Sequence, residues 1–294
     1  MRFVLTLIAG SIGRRGFAHL AEAVADAARI ASDPIWLAPG KACDLFFDAI
    51  DPATSEQAAR AAIGDAAVDL ILQPLAERRR RLLIADLEST IIENEMLDEL
   101  ADFVGLRPQI SEITRRAMNG EVDFAAALEA RVALLAGMED RVLERAAQRI
   151  RMTAGARQLV RTMRSRGAVA ALVSGGFTIF AKRVATELGF DHVVANRLDL
   201  AAGRIAGTVS PPLVTAETKR QTLLRLAAEH HVPLKQTMAV GDGANDAPML
   251  ETAGLGVAFH AKPVLAAAVG PRIDHADLTA LLFAQGYRKT EFVG

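Results

Sequence analysis

Three short stretches hold the residues that could do chemistry. Asp86-Leu87-Glu88-Ser89-Thr90 follows the apolar run Leu82 to Ala85, Ser174-Gly175-Gly176 follows Ala171-Leu172-Val173, and Gly241-Asp242-Gly243-Ala244-Asn245-Asp246 follows Ala239-Val240. A carboxylate placed directly after a buried strand is costly unless a cation or partner neutralises it, and here further acids arrive from another strand end. Oxygen-rich donors without cysteine or paired histidines suit magnesium rather than zinc. A magnesium ion held by few carboxylates keeps waters and accepts phosphate oxygens, so the chemistry indicated is phosphoryl transfer. An aspartate can serve as its nucleophile, forming an acyl-phosphate that water opens. Ser174 and the backbone amides around Gly175 suit the phosphoryl oxygens, because glycine lets the chain approach closely and a helix begins just beyond. Lys219 supplies a cation to neutralise charge on the nucleophile and the phosphoryl group.

Each piece alone has a plainer reading. Asp86 or Ser174 in isolation is an ordinary helix cap, a lone Lys219 is a surface residue, and Gly241 to Gly243 is a tight turn. Their joint order, each at a strand end, outweighs those readings.

The elements that must position these groups follow from apolar periodicity. Phe3 to Ala9 reads as a strand, Phe17 to Ile30 as an Ala-rich amphipathic helix, Asp33 to Pro39 as a turn and short strand, and Val68 to Gln73 as a strand. These make a small α+β unit over residues 1–77. From Leu82 onward, the strands Leu82 to Ala85, Ala168 to Val173, His192 to Ala195, Thr237 to Val240 and Gly256 to Phe259 alternate with helical segments. Such alternation predicts an α/β fold, a doubly wound parallel sheet with helices on both faces, over residues 78–294. A mostly helical stretch at about 94–150 reads as an insertion capping the sheet. The basic run Arg78 to Arg81 between the two units reads as a solvated linker.

Composition narrows the class. The 294 residues carry 34 basic and 35 acidic side chains, a formal net charge of -1, so no global field draws the chain to nucleic acid or to an anionic membrane. Cys43 is the only cysteine, which excludes an intramolecular disulfide and a thiolate zinc site and makes a reducing, cytoplasmic location the simpler expectation. The apolar run Phe3 to Ala9 is short and followed by Arg14-Arg15, a poor match to a signal peptide. No stretch reaches the roughly 18 uninterrupted apolar residues of a membrane span. There is no internal repeat or low-complexity segment.

The order Asp-x-acid-Ser-Thr, Ser-Gly-Gly-Phe, Lys and Gly-Asp-Gly-Ala-Asn-Asp is similar to the four motifs of haloacid dehalogenase (HAD) superfamily phosphatases. Glu95, Asp98-Glu99-Leu100-Ala101 and the segment from Ala117-Met118-Asn119-Gly120 through Phe124 to Leu128-Glu129-Ala130-Arg131-Val132 resemble the phosphoserine phosphatases within it. The resemblance covers about Leu82 to Phe292. It implies a HAD-like Rossmannoid core with a helical cap, magnesium as cofactor, and hydrolysis of phosphoserine through an aspartyl-phosphate, the last step of serine biosynthesis. It further implies Asp86 as the nucleophile and a metal held by Asp86, the backbone carbonyl of Glu88 and Asp242, with Asp246 in support. Ser174 and Lys219 would hold the phosphoryl group, with Gly175 and Asn245 lining the same pocket. Glu95 would receive the substrate ammonium and Arg131 its carboxylate, while Met118 and Phe124 close the apolar side of the cap. An acid suits an ammonium and an arginine fork suits a carboxylate. The amino-terminal unit resembles the ACT-like unit of some bacterial phosphoserine phosphatases; amino-acid binding, a homodimer formed through it, and a plain structural role are all open.

One position departs from the pattern. The family has Asp two residues after the nucleophile, where it serves as general acid and base, and this chain has Glu88. The extra methylene moves the acidic oxygens by roughly an ångström on an unchanged backbone, a displacement that can cost about a hundredfold in rate. Three readings compete: Glu88 performs both proton transfers, or Asp86 captures phosphate and releases it slowly, or the protein only senses serine or phosphoserine. The first is favoured because every other catalytic position is present. A broader small-molecule phosphomonoesterase is the nearest enzymatic rival.

Overall fold

The structure, a computed structural model, describes residues 1–49, 51–118 and 121–294, the side chains of Met118 and Phe124 excepted. β1 (Arg2–Ala9) is buried along all but its first residue, as befits a strand inside a sheet rather than at its edge. α1 (Arg14–Ala27) places Phe17, Ala21, Val24 and Ala25 on one stripe at helical spacing. β2 (Ile35–Ala38), β3 (Ala42–Asp48), α2 (Pro52–Ile63) and β4 (Val68–Pro74) complete the unit. The strands pair antiparallel in the order β2-β3-β1-β4, and the βαββαβ sequence of elements is that of ferredoxin-like units. β3 and α2 are additions to the sequence reading. Asp44 and Asp48 interrupt the apolar run of β3, and α2 announces itself only through the Asp51 cap and Pro52 at its first position.

Beyond Leu82 come β5 (Leu82–Ala85), α3 (Met96–Asp102), α4 (Arg107–Met118), α5 (Phe124–Ala133), α6 (Arg141–Ala147) and α7 (Ala156–Ser165). They are followed by β6 (Val169–Phe177), α8 (Thr178–Leu188), β7 (His192–Ala201), β8 (Arg204–Ser210) and α9 (Ala216–Glu229). The last elements are β9 (Thr237–Gly241), α10 (Ala247–Thr252), β10 (Leu255–Phe259), α11 (Pro263–Ala268), β11 (Arg272–Ile273) and α12 (Ala280–Ala284). The larger sheet runs β11-β10-β9-β5-β6-β7-β8, parallel throughout except for the β7–β8 hairpin. Leu82 and Ile84 face α9, α10 and α11, while Leu83 and Ala85 face α7, α8 and α12, so β5 is apolar on both sides. The hairpin extends the expected His192 strand and turns at Ala202-Gly203, both at positive φ, the geometry a two-residue hairpin loop requires. Among the described residues, no helix is long and apolar enough to cross a membrane.

Helices α3 to α6 form a cap joined to the sheet by two linkers that lie side by side. The Glu93 amide donates to the Arg151 carbonyl at 2.9 Å, the Thr153 amide to the Ile91 carbonyl at 3.0 Å, and Ile92 bridges Met152 antiparallel. Buried Asn94 locks this ribbon, accepting from the Arg151 amide at 2.7 Å and donating to Glu99 at 3.1 Å. On its far side the cap is stitched to the hairpin. Gly137 and Asp140 amides donate to the Ile205 and Gly203 carbonyls, each at 2.9 Å, and the Ile205 amide donates to the Met138 carbonyl at 2.8 Å.

The basic run is not the solvated linker that charge alone suggests. Arg79 and Arg81 point outward, but Arg78 and Arg80 are buried, as strand-like alternation dictates. Arg78 grips Asp44 of β3 with two bonds at 2.6 and 2.7 Å, donates to Thr6 of β1 at 2.8 Å, and reaches the carbonyls of Phe283 and Ala284 in α12. The second face of the small sheet, including Ile8 and Ile71, packs into the same apolar cluster as α12. Arg78 therefore ties the small sheet to α12 of the larger unit, and its charge pair with Asp44 has almost no access to water. Removing one partner of such a pair leaves the other charged and buried. Arg78→Met is expected to lower unfolding free energy by about 3–5 kcal/mol in urea titrations, and Arg78→Met combined with Asp44→Leu to recover most of that loss.

Candidate active site

The crevice lies beyond the carboxyl ends of the three central strands. Ala85 is in register with Val240 on one side and Leu172 on the other, so Asp86, Asp242 and Ser174 emerge from β5, β9 and β6 at one sheet edge. The Asp86 amide donates to the Val240 carbonyl at 3.0 Å, which holds the first residue of the loop in line with the strand. This is where ligands bind in open parallel sheets.

Lys219 rises into the crevice from the first turn of α9, whose start is set by a reciprocal cap between Thr215 and Thr218. Its ammonium donates to Asp86 Oδ1 at 2.6 Å and to Asp246 Oδ1 at 2.7 Å, and the lysine is only 1% exposed. Burial works against the lysine charge, yet Asp246 and Asp86 more than offset it and hold the ammonium above its usual range. Burial pushes the Asp86 carboxyl up, Lys219 pulls it back, and the Asp246 and Asp242 charges push again. Asp242 is raised to about 7 by burial and by the Asp246 and Glu95 charges, with Lys262 opposing.

Asp86, Asp242 and Asp246 bring carboxylate oxygens within 4.8 Å of one another. The three are not equivalent. Asp246 is fully committed: Oδ1 binds Lys219, and Oδ2 accepts the Asp242 and Gly243 amides at 3.1 Å each. Asp242 accepts a long bond from Thr90 on Oδ1 at 3.3 Å, while buried Oδ2 receives no hydrogen bond and has only Lys262 Nζ at 3.3 Å. An all-oxygen set with an unbonded buried carboxylate oxygen and more acids than cations fits a hard divalent cation.

Ser174 is 1% exposed and its Oγ accepts the Gly176 amide at 2.9 Å, leaving its proton available to a ligand oxygen. Asn196, at the inner part of β7, donates to the Gly175 carbonyl at 2.7 Å and accepts the Val214 amide at 2.8 Å, so it fixes the glycine loop. Sequence reasoning passed over Asn196, although the signal it used elsewhere, a polar residue after the apolar run Val193 to Ala195, was present. Asn245 presents a buried side-chain oxygen without a hydrogen-bond partner. It shares a cavity with Asp86, Glu88, Gly175, Arg131, Leu97 and Leu128.

Arg131 reaches this cavity from α5 and is 3% exposed; it donates to the Ala127 carbonyl at 3.0 Å and to Thr114 at 2.8 Å, which fixes its guanidinium. Glu95 immediately precedes α3 and accepts from Ser89 at 2.7 Å. Burial and the Glu88 charge raise its carboxyl to about 7. Met118 and Phe124 begin or end cap helices, but their side chains lie outside the described residues. Thr114 and Lys262 were also missed, and Thr90 was named only within its motif, because each acts through a partner distant in sequence.

Glu88 occupies a tailored space. Its Oε1 accepts the Met96 amide at 2.9 Å, which anchors it to the first residue of α3. A Cβ on Gly176 would lie 2.8 to 3.0 Å from the Glu88 carboxyl group, so this glycine makes the room that the longer side chain fills. Burial raises Glu88 to about 7, with the Met96 amide opposing and the Asp86 charge adding to the rise. A carboxyl so placed both holds and accepts a proton near neutrality.

Comparison with known proteins points to one family. Residues 83–251 match the haloacid dehalogenase-like hydrolase family. The chain is similar to the phosphoserine phosphatase of Streptomyces coelicolor, 39% identical over 82% of this chain and 59% of that protein. The phosphoserine phosphatase of Streptococcus thermophilus is 44% identical over 67% of this chain and 92% of its own length. Among solved structures, a phospho-aspartyl intermediate analogue of a phosphoserine phosphatase superposes with a TM-score of 0.67 at 36% identity, over 70% of this chain and 98% of that one. The chain spans about six-tenths of the length of the Streptomyces relative. The chain therefore belongs to the haloacid dehalogenase-like hydrolases, in the group whose curated relatives are phosphoserine phosphatases.

Proposed function

We propose that the protein hydrolyses O-phospho-L-serine to L-serine and phosphate, with the phosphoryl group carried in transit by Asp86. The observation that carries this reading is the buried Asp86–Lys219–Asp246 triad at the sheet edge, opening into a cavity that also holds Glu88 and Arg131. Magnesium is the proposed cofactor, held by Asp86, the Glu88 carbonyl and Asp242; when bound it supplies positive charge to the phosphoryl oxygens. The relative with a phospho-aspartyl analogue supports the covalent step.

In the first half of the reaction the Asp86 carboxylate attacks phosphorus as the bond from phosphorus to the serine oxygen breaks, and Glu88 gives that oxygen its proton. In the second half Glu88 takes a proton from water, the water oxygen bonds to phosphorus, and the bond to Asp86 breaks. Lys219 and the Ser174 hydroxyl face the charge spread over the phosphoryl oxygens. Arg131 receives the substrate carboxylate and Glu95 its ammonium. For the amino-terminal unit we propose a structural role, supported by Arg78 and by Asp69, whose carboxylate collects the amides of Asp274, His275 and Ala276.

Phosphate release from L-phosphoserine is expected to require magnesium and to vanish in Asp86→Asn; full metal-dependent activity in that variant would remove Asp86 as nucleophile. Gly176→Ala is expected to keep its unfolding midpoint, since only the end of a flexible side chain must move, while turnover drops about a hundredfold as Glu88 is displaced. Combining it with Glu88→Asp should return activity, because the shorter acid clears the added methyl. Arg131→Ala should weaken phosphoserine turnover by about tenfold or more relative to an aryl phosphate that carries no carboxylate, measured as the ratio of kcat/KM values.

A further inference from the structure

Ser89 stands between Glu88 and Thr90 with φ of +55°, a left-handed conformation that glycine adopts freely and serine only at a cost. In that conformation its Oγ–H donates to Glu95 Oε1 at 2.7 Å, across the short loop that leads from β5 into the cap. The hydroxyl spends its only proton on this bond. Ser89 gives the Glu95 carboxylate a donor on the loop side, while Glu88 lies beside it as a second acid that offers no donor when ionised. A glutamate side chain has several staggered rotamers, and one hydrogen bond to its carboxylate is enough to select among them.

We propose that Ser89 is a positioning residue for substrate selection, its hydroxyl holding the Glu95 carboxylate where the substrate ammonium arrives. The inference rests on the reading of Glu95 given above. It concerns binding of one substituent and not the transfer step, so its signature is a change in discrimination between two substrates. The pair to compare is phosphoserine and the phosphate ester of 3-hydroxypropionate, which keeps the carboxylate and lacks the ammonium.

Ser89→Gly suits the backbone conformation and removes the hydroxymethyl group without straining the turn, so loss of fold does not obscure the result. The ratio of kcat/KM for phosphoserine to kcat/KM for the 3-hydroxypropionate ester is expected to fall about tenfold, through KM for phosphoserine. A general loosening of the loop would lower both values together and leave the ratio unchanged, which would overturn the proposal. Glu95→Gln in the same assay separates the two levels of the argument. A reduced ratio in Glu95→Gln with an unchanged ratio in Ser89→Gly removes Ser89 alone; an unchanged ratio in both removes the reading of Glu95 and the proposal with it.

Discussion

A single ammonium shared by two carboxylates in a dry interior is the constraint from which the site follows. Lys219, Asp86 and Asp246 are each 5% exposed or less. In such surroundings each charge is affordable only with its partners in contact, so the three must stay within hydrogen-bond reach. Asp86 arrives on β5, Asp246 on the loop after β9, and Lys219 on α9. Fixing their distances fixes the relative placement of two neighbouring strands and the helix that covers them. The capping of α9 by Thr215 and Thr218, and the Asp246 contacts to the amides of its own loop, are the local devices that make this long-range requirement attainable.

The triad leaves the other half of the crevice to hydrogen bonds made by backbone. Ser174 and Gly175 are held by Gly176 and Asn196, and Glu88 by the first amide of the cap. Substituting a longer acid for a shorter one is therefore not a local event. The glutamate extends over a glycine and touches the cap, so the residue in the position of the family's acid is also a contact between the cap and the sheet.

Much of this was legible in the sequence where physics is local. Strands β5, β6, β9 and β10 are short apolar runs ending in polar or glycine-rich turns, and their polar termini named Asp86, Ser174 and Asp242. The cap was legible as a long stretch without strand patterning. What escaped reading depends on partners far along the chain. Arg78 looks like linker until Asp44, 34 residues earlier, is seen beneath it. Asn196 looks like a strand residue until Gly175 and Val214 come to it from either side. β8 and β11 are edge strands with little apolar content of their own, so only their neighbours define them.

The paired linkers of the cap have a mechanical consequence. Ile91 to Glu93 and Arg151 to Thr153 enter and leave the cap as one hydrogen-bonded ribbon, so they cannot bend independently. A lid attached at two separated points can only flex or shear; one attached at a single ribbon swings about one axis, like a page about its binding. The hairpin contacts at Gly137, Met138 and Asp140 sit at the free margin of that page and act as its clasp. Strength at the clasp and stiffness at the binding are thus separate properties of the molecule: any opening of the crevice has to break the first and is guided by the second.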